Sequence, residues 1–190
     1  MRKLAIFNYK SRYLKDIKKT IDWYNRTYPE KAFQVCVFDA KDLVCESHAG
    51  HVDVIIHTGG DAPLVEEDVK GTPKLYICYS HQWKARKEGG DVCKLKMLRK
   101  GIYYISVLDD DPVLGKKGEM PIMQYHEFIV SRPPSSAKVL AVSKIKNDDG
   151  PDTLVIESLR YPNGSISIQG HPEEGTAAHI FYNFFNLAEK

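Results

Sequence analysis

The sequence has few cysteines and no long apolar run. Its four cysteines form no Cys-x-x-Cys pair and show no ligand-like spacing with the seven histidines, so neither a disulfide framework nor a zinc site is expected. No stretch approaches the roughly 20 apolar residues of a membrane-spanning helix, and the start lacks the apolar core of a signal peptide. We therefore expect a cytoplasmic protein that uses neither a metal nor a cofactor.

The sequence also lacks a strong excess of charge of either sign. Its 27 Lys and Arg residues nearly balance 25 Asp and Glu residues, which leaves a net charge of +2, so neither nucleic acid nor a membrane surface is an expected partner. Hydrophobic residues make up 43% of the chain, enough for a sizeable core. The 190 residues match the length of one domain. We expect a single domain over residues 1–190.

Short apolar runs of strand length alternate with helical patterns in the first half of the chain. The predicted strands are residues 3–9, 33–38, 52–56 and 75–78. Apolar residues at helical spacing over residues 14–28 separate the first two, which is the rhythm of a parallel sheet. After Val92, short strands alternate with Pro and Gly turns, and a helix closes the chain at residues 177–187. The predicted fold is therefore α/β: a mostly parallel central sheet flanked by helices, a flavodoxin-like three-layer sandwich with antiparallel additions at its edges.

A cysteine stands where the fourth predicted strand passes into a helix. Cys78 would lie beside the unpaired N–H groups and the positive end of that helix, and both favour a thiolate. The N–H of the next residue, Tyr79, and the glycine loop Gly59-Gly60 could supply an oxyanion hole. Cys78 is therefore a candidate nucleophile.

A histidine and a carboxylate follow a strand near the end of the chain. The predicted strand ends on His171, and Glu173 follows across Pro172. A nucleophilic cysteine needs an imidazole as general base and a carboxylate that orients it. We therefore predict a triad of Cys78, His171 and Glu173.

These motifs resemble those of class I (triad) glutamine amidotransferase domains, and the resemblance covers nearly the whole chain. The matching segments are Tyr76-Ile77-Cys78-Tyr79-Ser80-His81-Gln82, Gly89-Gly90, Gln169-Gly170-His171-Pro172-Glu173, Thr58-Gly59-Gly60 and Tyr125-His126-Glu127. The cysteine elbow and the His-Pro-Glu motif are specific for this family when they occur together in this order.

The resemblance implies a glutaminase that works through a γ-glutamyl thioester and passes ammonia to a separate synthase partner. The implied catalytic residues are Cys78, His171 and Glu173; the implied backbone oxyanion donors are Gly60 and Tyr79; the implied substrate-binding residues are Gly59, Gln82 and His126. The substrate would be glutamine or another γ-glutamyl small molecule.

The sequence departs from the family pattern at three positions. The family elbow is Gly-x-Cys-x-Gly, whereas Tyr76 and Ser80 flank Cys78 here, and Gly170 replaces an aromatic residue. These changes indicate a divergent branch and leave two alternatives. One is a stand-alone γ-glutamyl hydrolase or peptidase, and the other is a catalytically impaired binding or regulatory module in which Tyr76 obstructs the elbow.

Overall fold

The computed structural model describes residues 1–39, 41, 45–147 and 150–187. Within these residues one mixed sheet contains nine strands, in the order β2-β1-β3-β4-β9-β8-β6-β5-β7. The strands are β1 (Arg2–Tyr9), β2 (Phe33–Asp39), β3 (Val54–Gly60), β4 (Lys74–Ile77), β5 (Asp91–Val107), β6 (Gly118–Arg132), β7 (Lys138–Ile145), β8 (Thr153–Arg160) and β9 (Ile166–Ile168), and the helices are α1 (Leu14–Thr27), α2 (Tyr79–Lys87) and α3 (His179–Leu187). None of the described helices is long and apolar enough to cross a membrane.

The first half of the sheet is parallel. Strands β2, β1, β3, β4 and β9 lie side by side in that order, and each adjacent pair among them is parallel. Alternation along β1 sorts its side chains between the two faces. Leu4 and Ile6 pack in one cluster with residues of α1 and α3, whereas Ala5 and Phe7 belong to a cluster on the other face. Both faces of this half are therefore covered, as a parallel sheet requires.

The second half is antiparallel and closed, so the predicted mostly parallel, flavodoxin-like sandwich is wrong. Strands β5 and β6, with 17 and 15 residues, are the longest in the described chain. They pair antiparallel from Asp91↔Arg132 to Val107↔Gly118. Strand β7 pairs with β5 and also with β8, so β8, β6, β5 and β7 form a closed four-stranded barrel.

The barrel strands do not look like long strands locally. The sequence predicts only a short strand from Ile102 to Ile105, yet this run lies inside β5. A register shift between Lys94 and Arg99 interrupts the alternation of apolar and polar residues on which a sequence-based prediction depends. The long hairpin is therefore held together by the pairing of its two strands. The residue pattern of β5 alone does not predict this pairing.

The parallel half positions the candidate site. The carboxyl ends of parallel strands lie at the same edge of a sheet, where open α/β folds bind ligands. Gly60 ends β3, Cys78 follows β4, and Gln169 follows β9. His171 continues from β9 and forms a bridge with Met123 of the barrel strand β6. The site therefore lies where the parallel half meets the barrel.

Candidate active site

Cys78 occupies a strained turn between β4 and α2. Its φ is 53° and its ψ is −104°, a conformation that a residue with a Cβ adopts at a cost. The turn is held on both sides, because the Cys78 N–H donates to the Ile168 carbonyl at 2.8 Å and the Cys78 carbonyl accepts from the Gln82 N–H at 3.1 Å. Tyr79 begins α2, so its N–H has no helical acceptor. The thiol is thus fixed at a helix N-terminus.

The two residues that replace elbow glycines have partners of their own. The Tyr76 ring is fully buried and stacks on His57, with ring centroids 4.7 Å apart. Its hydroxyl donates to Glu67. The Ser80 hydroxyl donates to the Thr58 carbonyl. Tyr76 does not line the cavity next to Cys78, so the geometry gives no sign that its ring obstructs the elbow.

Tyr76→Gly is expected to destabilise the protein and not to raise its catalytic rate. The change removes a buried ring from its stack on His57, and losses of this kind cost about 3–5 kcal/mol. The free energy of unfolding, measured by denaturant titration, tests this. Tyr76→Phe is the matched control, because it keeps the ring and loses only the bond to Glu67. A faster enzyme with unchanged stability after Tyr76→Gly would mean that the ring does crowd the elbow.

His171 and Glu173 form a buried pair. The imidazole Nδ1 donates to Glu173 Oε1 at 2.9 Å, and the two residues are only 3% and 4% exposed. Burial by itself would lower the pKa of His171, but the negative charges of Cys78 and Glu173 outweigh it and raise that pKa to about 10. A positively charged imidazolium is therefore favoured beside Cys78 at neutral pH.

Two glycines allow the close approach of these groups. A Cβ on Gly59 would lie 3.2 Å from the Cys78 Cβ and 3.3 Å from the His171 Cε1. Because glycine has no side chain, Gly59 allows Cys78 and His171 to lie close together. Gly60 has a φ of 135°, and a Cβ there would lie 1.8 Å from the Tyr9 carbonyl oxygen. Only glycine fits this position without a backbone shift.

A cavity of about 600 Å³ opens beside the thiol. The predicted site residues on its wall are Gly60, Cys78, Tyr79, Gln82 and His126. The other three, Gly59, His171 and Glu173, are not on this wall. Gly59 lies close to both Cys78 and His171, so the histidine is near the nucleophile although it does not line the cavity.

His126 belongs to a buried polar chain inside the barrel. Its Nε2 lies 2.8 Å from Gln124 Oε1, and the Gln124 amide nitrogen donates to Glu157 at 2.9 Å. Glu157 is paired with Arg99 at 2.6 Å. Burial, together with the positive charge of Arg99, lowers the pKa of His126 to about 3. His126 is therefore neutral at the cavity wall, which suits substrate binding better than proton transfer.

Two further residues lie at this site that are not among the predicted site residues. The Tyr13 ring packs against His171, with centroids 4.4 Å apart, and Gln169 Nε2 lies 3.8 Å from Cys78 Sγ. Gln169 opens the His-Pro-Glu motif, so its place in that motif is an available signal, whereas the loop around Tyr13 carries none. Among the described residues, no cluster of His, Cys, Asp and Glu could hold a metal ion.

The arrangement is typical of thiol-dependent acyl-transfer enzymes, in which a cysteine at a helix N-terminus lies beside a histidine oriented by a carboxylate. A comparison with protein families gives the narrower class. The model of the glutamine amidotransferase class-I family matches residues 38–188, and the chain belongs to this family. The family predicted from the sequence is therefore confirmed.

Similar proteins include a subunit of a synthase, a longer synthase chain and a glutaminase domain. A subunit of the glutamine-hydrolyzing GMP synthase from Sulfolobus acidocaldarius is 30% identical over 153 residues, which cover 73% of this chain and 78% of the relative. The glutamine-hydrolyzing GMP synthase from Pyrobaculum aerophilum is 27% identical over 91% of this chain, which matches 33% of that protein. The structure of the CTPS glutaminase domain of Trypanosoma brucei, with bound acivicin, has a TM-score of 0.74 and 11% identity, over 100% of this chain and 94% of that one; this likeness concerns the fold.

Proposed function

We propose that this protein is a glutaminase that hydrolyses the side-chain amide of glutamine and supplies ammonia to a separate synthase partner. The observation that carries the proposal is the buried pair of His171 and Glu173, which lie 2.9 Å apart and close to Cys78. The negative charges of Cys78 and Glu173 raise the pKa of His171 to about 10. A thiolate paired with an imidazolium is the resting state that amide cleavage by a cysteine requires. In this proposal residues 1–190 act as one glutamine amidotransferase-like domain.

The reaction proceeds through a covalent intermediate. The Cys78 thiolate attacks the side-chain carbonyl carbon of glutamine, and the N–H groups of Gly60 and Tyr79 stabilise the oxyanion. His171 donates its proton to the departing nitrogen, so ammonia leaves and a γ-glutamyl thioester remains. Neutral His171 then accepts a proton from water, which attacks the thioester and releases glutamate and the thiolate. Glu173 orients the imidazole throughout.

Gln82 and His126 are proposed to hold the substrate. The Gln82 amide nitrogen already donates to the Phe128 carbonyl at 2.8 Å and to Gln169 Oε1 at 3.2 Å. Both of its hydrogens are thereby used, so Gln82 would contact the substrate through its oxygen. A carbonyl oxygen accepts hydrogen bonds, and the α-ammonium group of glutamine donates them. Gly59 contributes by letting the substrate carbonyl approach the thiol closely.

The partner is proposed by analogy with the relatives. The Sulfolobus acidocaldarius relative is one of the subunits of a GMP synthase, and in the Pyrobaculum aerophilum protein the matched region is a third of a longer GMP synthase chain. We therefore propose a separate ammonia-consuming synthase of this type as the partner.

One observation favours a second candidate, a γ-glutamyl hydrolase or peptidase. The cavity of about 600 Å³ has Trp83, Leu98 and Phe128 on its wall, and a volume of this order suits a drug-sized ligand. It could therefore accept a γ-glutamyl amide whose leaving group is larger than ammonia. The same Cys78 chemistry would serve both substrates.

Parallel assays of two substrates test the proposal. Ammonia release from glutamine and nitroaniline release from L-γ-glutamyl-p-nitroanilide are measured for the wild type, with Cys78→Ala as the blank. A higher kcat/KM for glutamine is the expected result. A clear preference for the anilide would favour the γ-glutamyl hydrolase, and Cys78-independent release of both products would contradict either function.

Glu173→Gln is expected to lower the pKa of His171 and to weaken catalysis. The Glu173 charge helps to raise this pKa to about 10, so kcat/KM of the wild type should fall as the pH rises through that value and the acid form is lost. Removing the charge moves this alkaline limb to lower pH. Wherever the assay pH exceeds the new pKa, the rate falls about tenfold for each pH unit between them. A pH profile of kcat/KM measures both effects.

The adjacent exposed carboxylate supplies the control for this variant. Glu174→Gln changes the net charge by the same amount without touching the His171 ring nitrogen that Glu173 holds. Its profile should match that of the wild type. If both variants shifted the alkaline limb equally, Glu173 would have no special role.

A further inference from the structure

Gln169 places a polar side chain next to the sulfur of the nucleophile. It directly follows β9, is fully buried, and its Nε2 lies 3.8 Å from Cys78 Sγ. The Tyr125 carbonyl oxygen lies 3.9 Å from the same sulfur. The sulfur thus has a hydrogen-bond donor and an acceptor next to it, and the mechanism above uses neither.

The orientation of the Gln169 amide is fixed by its neighbour. The Phe128 carbonyl can only accept, so the group of Gln82 that lies 2.8 Å from it must be the amide nitrogen. That same nitrogen donates to the Gln169 amide at 3.2 Å, and the atom it meets must be the Gln169 oxygen. The other end of the Gln169 amide, its NH₂ group, therefore faces Cys78.

The backbone holds the two side chains together. Ile77 of β4 pairs in parallel with Ile168 of β9, so Cys78 and Gln169 follow neighbouring strands at the same level. The Cys78 N–H donates to the Ile168 carbonyl at 2.8 Å, and the Gln169 N–H donates to the Glu157 carbonyl at 2.7 Å. The backbone of both residues that form the contact between the amide and the sulfur is thus fixed by hydrogen bonds of the sheet.

We propose that Gln169 is a further catalytic residue, whose side-chain amide donates a hydrogen bond to the Cys78 thiolate, and that Gln82 is the positioning residue that aims it. A thiol can give its own proton to the Tyr125 carbonyl, but a thiolate only accepts. The Gln169 donor therefore stabilises the charged, reactive form selectively, and hydrogen bonds to charged groups are the stronger ones. The inference rests on the proposed function only in taking Cys78 as the nucleophile.

Alkylation of Cys78 by iodoacetamide tests this without any substrate. The rate at neutral pH is followed by peptide mass spectrometry in the wild type, Gln169→Met and Gln169→Glu. We expect Cys78 to react about tenfold more slowly in Gln169→Met, because the donor is lost while the volume is kept. Gln169→Glu should be slower still, since a carboxylate repels the thiolate. Gln82→Met should slow Cys78 less than Gln169→Met does.

Two controls separate this effect from general damage to the fold. Cys36, Cys45 and Cys93 of the same molecules should keep their wild-type rates. Asn183→Leu is the matched variant, because it also removes a donating side-chain amide, here one that donates to the Val113 carbonyl at 3.0 Å from helix α3, which carries none of the predicted site residues. In that variant Cys78 should react at the wild-type rate.

Two results would overturn the proposal. One is a wild-type rate for Cys78 in both Gln169 variants while the other three cysteines are unchanged. The other is an equal slowing of Cys78 in Asn183→Leu. A failure of the proposed function is a different outcome: the protein would then not hydrolyse glutamine, while the dependence of Cys78 alkylation on Gln169 would still hold.

Discussion

Cys78→Ala is expected to reduce glutamine hydrolysis by roughly 10⁴-fold or more, the scale on which covalent enzymes lose rate when the nucleophile is removed. The remaining groups can bind and polarise the amide, but no thioester can form. Ammonia release under saturating glutamine measures the loss. The fold should survive, because the side chain removed is small.

Cys93→Ala is the matched control for this variant. Cys93 is an exposed cysteine on β5, and its loss should leave the rate unchanged. Residual hydrolysis in Cys78→Ala within tenfold of the wild type would mean that another group performs the chemistry.

Gly60→Ala is expected to lower kcat by at least about 100-fold, the typical loss when one oxyanion donor is removed. The added Cβ would lie 1.8 Å from the Tyr9 carbonyl oxygen, so the backbone must move. That same carbonyl accepts the N–H of Asp61 at 2.9 Å. A shift of Gly60 therefore displaces the start of the loop after β3 and the N–H that is proposed to hold the oxyanion.

Gly71→Ala is the control that separates the effect of the steric clash at Gly60 from the effect of backbone strain alone. Gly71 also has a positive φ, 77°, but a Cβ there would meet no atom within 4 Å. This variant should lose about 1 kcal/mol of stability and keep its kcat. Steady-state kinetics and denaturant titration of both variants measure the difference. Equal kcat values in the two would argue against a role of Gly60 in the oxyanion hole.

The candidate site residues could be proposed from the sequence where the signal is local. The passage from an apolar strand into a helix at Cys78, and the strand end at His171 with Glu173 close behind, are patterns of a few adjacent residues. In the structure His171 bonds to Glu173, and Gly59 lies close to both Cys78 and His171. The roles assigned to them remain predictions.

The barrel could not be predicted because it depends on pairing between distant strands. The closure of β7 on both β5 and β8 is a property of three segments at once. The polar chain from Arg99 to His126 inside it is equally non-local. In a single sequence these residues look like ordinary polar residues of the surface. A charged side chain is buried only together with a partner, and the partners here are distant in the sequence.

The reason why the protein tolerates its departures from the family motif is also evident only from the structure. Tyr76 fits because His57 stacks on it and Glu67 accepts its hydroxyl, both from other elements of the fold. Gly170 replaces an aromatic residue because Ile122 occupies the space: a Cβ at this glycine would lie 2.7 Å from the isoleucine side chain. Each change is compatible with the site through a partner that is remote in sequence.

The most direct test of the central claim is intact-mass spectrometry after incubation with 6-diazo-5-oxo-norleucine, an electrophilic mimic of glutamine. The account predicts a single adduct that maps to Cys78, is prevented by excess glutamine and is absent from Cys78→Ala. An adduct that persists in Cys78→Ala, or a wild-type protein that remains unmodified, would contradict the claim that Cys78 is the nucleophile of a glutaminase.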